Sequence, residues 1–504
     1  MKSRRFLSAL LCAVLALTLL TPAALANSWG LKSGMILNAV SKTHDYDEYT
    51  ALAQLKLPDG EVAVMASRYH AVLLYAYQFK GELRLEASHT AVKQPDKKDY
   101  KKVKLQAESP GFVLKYSDME LHFFPWVGYN RRTYSLQSGK IGKLTLQPGG
   151  VNSESTGWLT CSDGENTVDW FVADEGVLTL TQLNLRLFPR TMEELGAIME
   201  LKSIVAPQCE IFGLGDGEEV PGDAGASTVP VYSAPSESSV RFAKGKASVN
   251  LRAPVKFYGL SRDESWMLVE YEVSDRTSRF GYVKRSELPC SMAQTQTMIF
   301  SSIDMPVTIT KDTYLTDDPN VSQYHQMTLK AGDGVRLLGL QGAFYAYIET
   351  TLDGKTVRGF VPAACVRYPL PTEEAPEIAA RLVGDWESNG GGEVLGIYTA
   401  FLTDGRMLTD WLPQAKKETL SAQERSLYGV PSWRTYQVYK STERERAGFR
   451  GEYAYILVLR SLAGYITNFY ALDFDADEAG RESFAIYFGE GGGNYARYEG
   501  GASQ

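Results

Sequence analysis

The sequence predicts a mainly all-β chain divided into several domains, and three observations carry that prediction. Apolar residues recur with a period of two in short runs, the mark of half-buried strands. The runs are punctuated by turn residues, drawn from 45 Gly and 21 Pro as well as Asn and Asp. The strands are rich in aromatic side chains, which a chain with 29 Tyr and 20 Phe supplies in quantity and which favour pleated surfaces. Two stretches with little to bury separate three β-rich regions.

The chain opens on a leader. Lys2, Arg4 and Arg5 form a basic start, Phe6 to Leu20 is apolar, and Ala24-Leu25-Ala26 has the small-x-small pattern of a cleavage site. Residues 1–26 read as a signal peptide, with an apolar run too short for a stable membrane span. Leu11 precedes Cys12, and Cys12 lies mid-run, so a lipoprotein signal is not expected. The mature chain is expected to be secreted, with no stable span after cleavage. Loss of the three basic leader residues takes the net charge from −8 to −11. Such a balance argues against nucleic acid as a partner, since phosphate binding needs clustered Lys and Arg. The charge is uneven: residues 228–368 hold 16 basic and 14 acidic residues, and the flanking regions are acidic. The middle is the region best suited to approach an anionic cell wall.

Residues 27–204 read as a β-sandwich-like domain. Alternation marks Glu61–Met65, Ala71–Tyr77, Phe112–Tyr116, Met119–Phe124, Lys143–Leu146, Thr167–Val172 and Val177–Leu183 as strands. Thr191 and Glu194 have the spacing of a capping box and start a helix. Residues 205–227 are rich in Gly and acid and read as a linker.

Residues 228–290 and 291–368 each show short strands separated by turns, the pattern of a small barrel. In the first, Val229 to Ser236 is a strand with a proline turn, and Val255 to Leu260 is an apolar run. Trp266 to Tyr271 is an alternating strand, and Phe280 to Val283 closes the unit. In the second, the order repeats with Tyr314 to Pro319, Gly334 to Leu340, Ala343 to Glu349 and Arg358 to Val361. Both copies resemble bacterial SH3 (SH3b) domains, through the proline turn, the aromatic strand and the closing Gly281-Tyr282-Val283 and Gly359-Phe360-Val361. The family's longer opening motif is reduced here to Ser233-Ala234-Pro235-Ser236 and Asp317-Asp318-Pro319. The resemblance covers residues 228–368. It implies binding to cell-wall peptide or glycan, with peptidoglycan or another envelope polymer as partner, or packing against a neighbouring domain.

Residues 369–378 hold several Pro and Glu residues and read as a second linker. From residue 379 a run of strands extends to 504. Leu382-Val383-Gly384-Asp385-Trp386, followed by Phe401-Leu402-Thr403-Asp404-Gly405, resembles the opening of lipocalin-like domains. That resemblance implies a β-barrel with Trp386 plugging one end and an interior able to hold a small apolar ligand. Gln414 to Tyr428 reads as a helix or a loop.

A catalytic reading finds little to stand on. The one histidine after Cys161 is His325, in the second barrel, so the Cys–His pair of a cysteine peptidase does not form within one domain. H-E-x-x-H and G-x-S-x-G are absent, and S-x-x-K is absent from the mature chain. His44, His70, His89 and His122 fall in the first domain, where His44 reads as a loop residue and His70 and His122 as strand-edge residues. Asp473, Asp475 and Asp477 have the start of a calcium loop. Glu478 and Phe484 replace its Gly and Glu, so the stretch reads as a solvated acidic hairpin. No catalytic residue, metal ligand or cofactor is nominated. Cys161, Cys209, Cys290 and Cys365 allow three full pairings, and spacing does not choose among them.

Binding rests on aromatics. Tyr258, Trp266, Tyr271 and Tyr282 of the first small barrel, and Phe344, Tyr345, Tyr347 and Phe360 of the second, are the candidate ligand contacts. Aromatic faces stack on sugars or cover extended peptides. Tyr345 and Phe344 lie on opposite faces, and Tyr345 is expected to be the exposed one. The leading expectation is a non-catalytic adaptor of the bacterial cell envelope. The alternatives are a cell-wall or glycan hydrolase with its site in the first domain, and a small apolar ligand carrier in the last barrel.

Overall fold

A computed structural model of the chain describes residues 29–43, 45–47, 49–66, 71–88, 102–127, 132–151, 157–173, 188–205, 218–274, 277–295, 304–318, 326–341, 344–388, 395, 397–410, 413–421, 432–442, 453–462, 464–476, 481–488 and 491–498. The leader, Cys209, His44, His70, His89, His325, the expected strand Val177–Leu183, and Asp477 and Glu478 of the acidic hairpin lie outside the described residues. The chain is mainly β and forms two compact units, residues 1–192 and 193–504.

The first unit holds helix α1 (Met35–Val40) and two antiparallel meanders. One sheet runs β1 (Thr50–Leu57), β2 (Gly60–Ala66), β3 (Ala71–Phe79) and β4 (Glu82–Ser88). The other holds β5 (Lys104–Glu108), β6 (Gly111–Tyr116), β7 (Met119–Val127), β8 (Arg132–Ile141), β9 (Leu144–Val151), β10 (Gly157–Ser162) and β11 (Thr167–Ala173) in sequence order. Strands β2 and β3 are buried on both faces over most of their length. Ala63, Met65, Val72, Leu74 and Ala76 face Trp29, Ile36, Ala39 and Val40 of the helical segment. Tyr75 and Tyr77 face the other way. Tyr75 packs edge-on against Tyr134 of β8 at 4.9 Å, and Tyr134 lies 5.0 Å from Phe112 of β6. The expected sandwich is therefore present, with a helix added on its far side.

Glu61 joins these layers. It is buried, and its carboxylate accepts the amide of Ile36 at 2.8 Å, at the first turn of α1. Helix N-termini present amides without internal partners, and a buried carboxylate satisfies one of them. Glu61→Ala is expected to cost about 1–3 kcal/mol by leaving a buried donor unsatisfied. Urea denaturation of the mature chain measures it. A cost indistinguishable from zero would mean that water replaces the carboxylate.

The second unit begins with α2 (Met192–Val205). Glu194 pairs with Lys311, and Gly196 lies against the ring of Tyr465. Burial raises the Glu200 carboxyl against the opposing charges of Arg367 and Arg460. The helix therefore packs on elements of residues 304–368 and 455–476. Its sequence position had suggested the first domain.

Two small barrels follow. The first has the sheet order β12 (Glu218–Val220), β15 (Val255–Leu260), β16 (Trp266–Ser274), β17 (Thr277–Lys284), with β13 (Thr228–Pro230) and β14 (Ser248–Asn250) as a separate pair. The end of the expected 205–227 linker is thus a strand, because its backbone pairs with β15 from Glu218↔Phe257 to Val220↔Val255. The second has the order β23 (Lys355–Pro362), β22 (Tyr345–Leu352), β21 (Gly334–Gln341), β18 (Met305–Ile309), β24 (Val366–Arg367), with β19 (Thr313–Leu315) and β20 (Met327–Leu329) paired apart.

The two copies share one packing device. Tyr232 and Tyr282 exchange backbone hydrogen bonds of 2.9 and 2.7 Å, and Thr316 and Phe360 do the same at 2.9 and 2.7 Å. The closing glycine sits beside each bridge. A Cβ on Gly281 would meet Val231 at 2.3 Å, and one on Gly359 would meet Leu315 at 2.4 Å. The Gly-aromatic-Val pattern thus has a steric cause: glycine admits the neighbouring chain.

The last domain is a closed eight-stranded barrel. Its strands are β25 (Gly384–Ser388), β26 (Tyr398–Phe401), β27 (Arg406–Asp410), β28 (Ser432–Lys440), β29 (Tyr455–Arg460), β30 (Ile466–Ala476), β31 (Glu482–Phe488) and β32 (Gly491–Arg497). Trp386, Phe401, Tyr436, Leu459, Phe484 and Tyr495 are among the side chains that fill its interior. Helix α3 (Pro376–Leu382) closes one end, and the indole of Trp386 donates to the Leu382 carbonyl at 2.6 Å. The expected 369–378 linker is ordered against this barrel. Ala375 is fully buried and its amide donates to Val438 at 2.8 Å, which ties the stretch down despite its proline content. Within Gln414 to Tyr428, Gln414–Glu418 is helix α4, whose Lys417 forms a buried pair with Asp410 at 2.5 Å. No described helix is long and apolar enough to cross a membrane.

Candidate functional site

The aromatic residues expected to line a groove lie mostly inside. Trp266 is buried and packs edge-on against Tyr232, with centroids 5.2 Å apart. Tyr271 is buried, and burial followed by the nearby Asp317 charge pushes its hydroxyl well above the ordinary tyrosine range. Tyr258 is partly buried, and its hydroxyl donates to Glu270 at 2.5 Å. Phe344 is partly buried at the turn into β22.

Tyr282, Tyr347 and Phe360 meet where the two small barrels touch. Tyr347 and Phe360 have centroids 4.8 Å apart, and Phe280 of the first barrel lies 5.6 Å from Phe360. The hydroxyl of Tyr347 donates to that of Tyr282 at 3.3 Å, and Arg358 donates to the same oxygen at 3.2 Å. Full burial drives the Tyr347 hydroxyl far above its ordinary range, so it stays protonated and able to donate. Tyr345 is 1% exposed, which overturns its expected exposure. Tyr347 and Phe360 stand opposite each other on an outer face of β22 and β23, where they meet Tyr282 and Phe280 of the first barrel. The first barrel covers that outer face, and periodicity within one strand cannot report a neighbouring domain.

The junction is also bound by polar contacts. Arg279 and Asp317 form a buried ion pair at 2.9 Å, and Gln326 donates to the same carboxylate at 3.0 Å. The Phe280 amide donates to the Asp317 carbonyl at 2.8 Å, and the Val240 amide to the Thr356 carbonyl at 2.9 Å. Neither Arg279 nor Asp317 had stood out in the sequence. Asp317 was noted only as part of the proline turn Asp317-Asp318-Pro319.

Beyond the covered region the outer face of the second barrel is open. A groove of about 470 Å³ lies there, lined among others by Pro306, Thr308, Arg336, Glu349, Thr351 and Thr356. The strand register explains its chemistry. Arg336, Glu349 and Arg358 stand directly opposite one another across β21, β22 and β23, a plus–minus–plus row. Arg358 donates to Glu349 at 2.7 Å, and Arg336 holds a bidentate contact with the Asp304 carboxylate. Next to that row, Thr351 stands opposite Thr356. The groove therefore offers hydroxyls and both signs of charge, a set that suits a polar, peptide-like ligand. A second cavity of about 360 Å³ lies in the first unit along β1 and β5, between segments 51–54 and 103–106.

Among the described residues, groups with catalytic potential are not gathered in either cavity. His122 lies on β7, 2.6 Å from Glu108 and 3.4 Å from Glu120. Cys365 is buried, and burial raises its thiol pKa, the wrong direction for a nucleophile. Cys290 is an exposed free thiol. Among the described residues no group of three His, Cys, Asp or Glu side chains is arranged to hold a metal ion.

No protein-family model matches the chain, and no curated protein matches it. Among solved structures, NlpC1 from Trichomonas vaginalis is 12% identical over 50% of this chain and 87% of its own, with a TM-score of 0.16. NlpC2 from the same organism is 10% identical over 56% of this chain and 96% of its own, with a TM-score of 0.15. Similarity at that level carries no argument about fold or activity. What characterises the chain is its own geometry: a fused pair of small barrels with one open polar groove.

Proposed function

We propose that the mature chain is a secreted, non-catalytic binding protein of the bacterial cell envelope. Its SH3b-like pair acts as one rigid body, and the groove of the second barrel takes cell-wall peptide. The groove carries this reading, with Arg336 and Glu349 for charged ends and threonine hydroxyls for backbone amides. Peptide is favoured over glycan because most of the aromatics that would stack on sugar are buried, and none of the eight lines the groove. The filled interior of the eight-stranded barrel favours a structural role for it over transport of an apolar ligand.

The test is sedimentation of the mature chain with insoluble purified peptidoglycan at low and at high salt. The native chain is expected to pellet, and Thr351→Trp, which fills the groove from the surface, to remain in the supernatant. Arg336→Ala is expected to weaken binding about tenfold, as loss of one charged contact worth roughly 1.4 kcal/mol would. Failure of the native chain to pellet, or unchanged pelleting of Thr351→Trp, would sink the assignment.

A further inference from the structure

The eight-stranded barrel carries a cation on a face whose described interior cluster is apolar or neutral. Strand β28 alternates, with Tyr436 and Val438 in the interior cluster. Arg434, two residues before Tyr436, shares that inward face, near the end opposite α3. It stands across from Met407, another interior residue. The guanidinium donates through Nη1 to Asn468 Oδ1 at 3.2 Å, and Asn468 Nδ2 donates to the Tyr470 hydroxyl at 2.6 Å.

Both of these neighbours are neutral. Burial pulls the Arg434 pKa below the ordinary arginine value, and the one electrostatic neighbour opposing that shift is Tyr470. Burial also raises the Tyr470 hydroxyl, to about 12, so at neutral pH it brings no charge. Among the described residues no carboxylate forms an ion pair with Arg434. Desolvating a cation without a counter-charge costs several kcal/mol. Arginine stays charged at any ordinary pH, so the site must either bear that cost or receive an anion. The residue as a whole is half-buried, near one end of the barrel.

We propose that the mouth of the eight-stranded barrel binds a small carboxylate, held by the guanidinium of Arg434 with Asn468 and Tyr470 beside it. One cation flanked by two neutral groups matches a single negative charge, and the planar fork of arginine matches a carboxylate. This site is separate from the groove of the second small barrel, and either can fail without the other.

The mature chain would be titrated with sodium butyrate in a calorimeter, with sodium chloride at matched ionic strength as control. A saturable heat with butyrate and none with chloride is expected. Arg434→Met keeps the side-chain volume and removes the charge, and Asn468→Ala removes the neutral partner. The first is expected to abolish binding and the second to weaken it several-fold. Without butyrate, Arg434→Met should melt no lower than the native chain, because a desolvated charge has been removed. Equal heats from chloride, binding retained by Arg434→Met, or no saturable heat with butyrate would overturn the proposal. A clear fall in the melting temperature of Arg434→Met would do so too, since the guanidinium would then be serving a charge of the chain itself.

Discussion

Asp317→Ala in the mature chain is expected to lower the unfolding free energy by about 3–5 kcal/mol. The carboxylate is 2% exposed; its Oδ1 accepts Arg279 Nη2 at 3.1 Å and Gln326 at 3.0 Å, and its Oδ2 lies 2.9 Å from Arg279 Nε as an ion pair. Removing it leaves a guanidinium buried where the two small barrels meet, with its counter-charge gone. The cost comes mainly from that stranded charge and less from the lost attraction. A double variant, Arg279→Met with Asp317→Leu, is therefore expected to recover most of the loss, since apolar residues of similar volume replace buried pairs at little net cost. Guanidinium denaturation followed by far-ultraviolet circular dichroism measures both. A loss below about 1 kcal/mol for the single variant would place the pair in the screened, surface-like regime and remove it as a lock between the barrels.

Trp386→Ala is expected to cost about 3–5 kcal/mol, the range for truncating a large buried aromatic. Trp386 is fully buried, lies 4.7 Å from Phe484 in an edge-on contact, and carries Arg497 over its ring at 4.0 Å. Its indole hydrogen bond to Leu382 also fastens α3 across the end of the barrel. Arg497 in turn reaches the carbonyls of Val383 at 2.6 Å and Arg381 at 2.7 Å. Loss of the ring removes packing below and the platform above. The variant is expected to expose residues 369–382 to limited proteolysis before the rest of the barrel unfolds. Trp386→Phe keeps most of the packing and is expected to cost less. Equal protease resistance of native chain and Trp386→Ala would mean that the remaining contacts, Arg497 on Val383 and Arg381 and the Ala375 amide on Val438, are enough to hold the helix.

Much of the architecture was legible in the order of residues. Period-two runs marked most of the described strands, because a strand with one buried face must alternate. The closing Gly281-Tyr282-Val283 and Gly359-Phe360-Val361 identified two copies of one unit. The opening Gly384-Asp385-Trp386 marked a barrel with an internal Trp. The all-β class followed from these local patterns. They are set by the pleat of a single strand and the sterics of a single turn.

What one residue means to another domain was not legible. Tyr345 was expected to be exposed, yet it is buried, with Phe360 of its own barrel beside it. Residues 369–378 read as a linker from their prolines and acids, but the buried Ala375 and its backbone bond to Val438 anchor the stretch. Glu218 to Val220 looked like spacer and became an edge strand, since any extended backbone can complete a sheet. The candidate site moved for the same reason. Large aromatic side chains gain more from burying one another than from waiting in solvent, so they closed the junction and left the polar groove exposed. The sequence by itself determined which segments are strands and which face of each is apolar, because those depend on neighbours one or two residues away. Only the tertiary structure decided which outward faces meet water, because burial depends on surfaces brought together from distant parts of the chain.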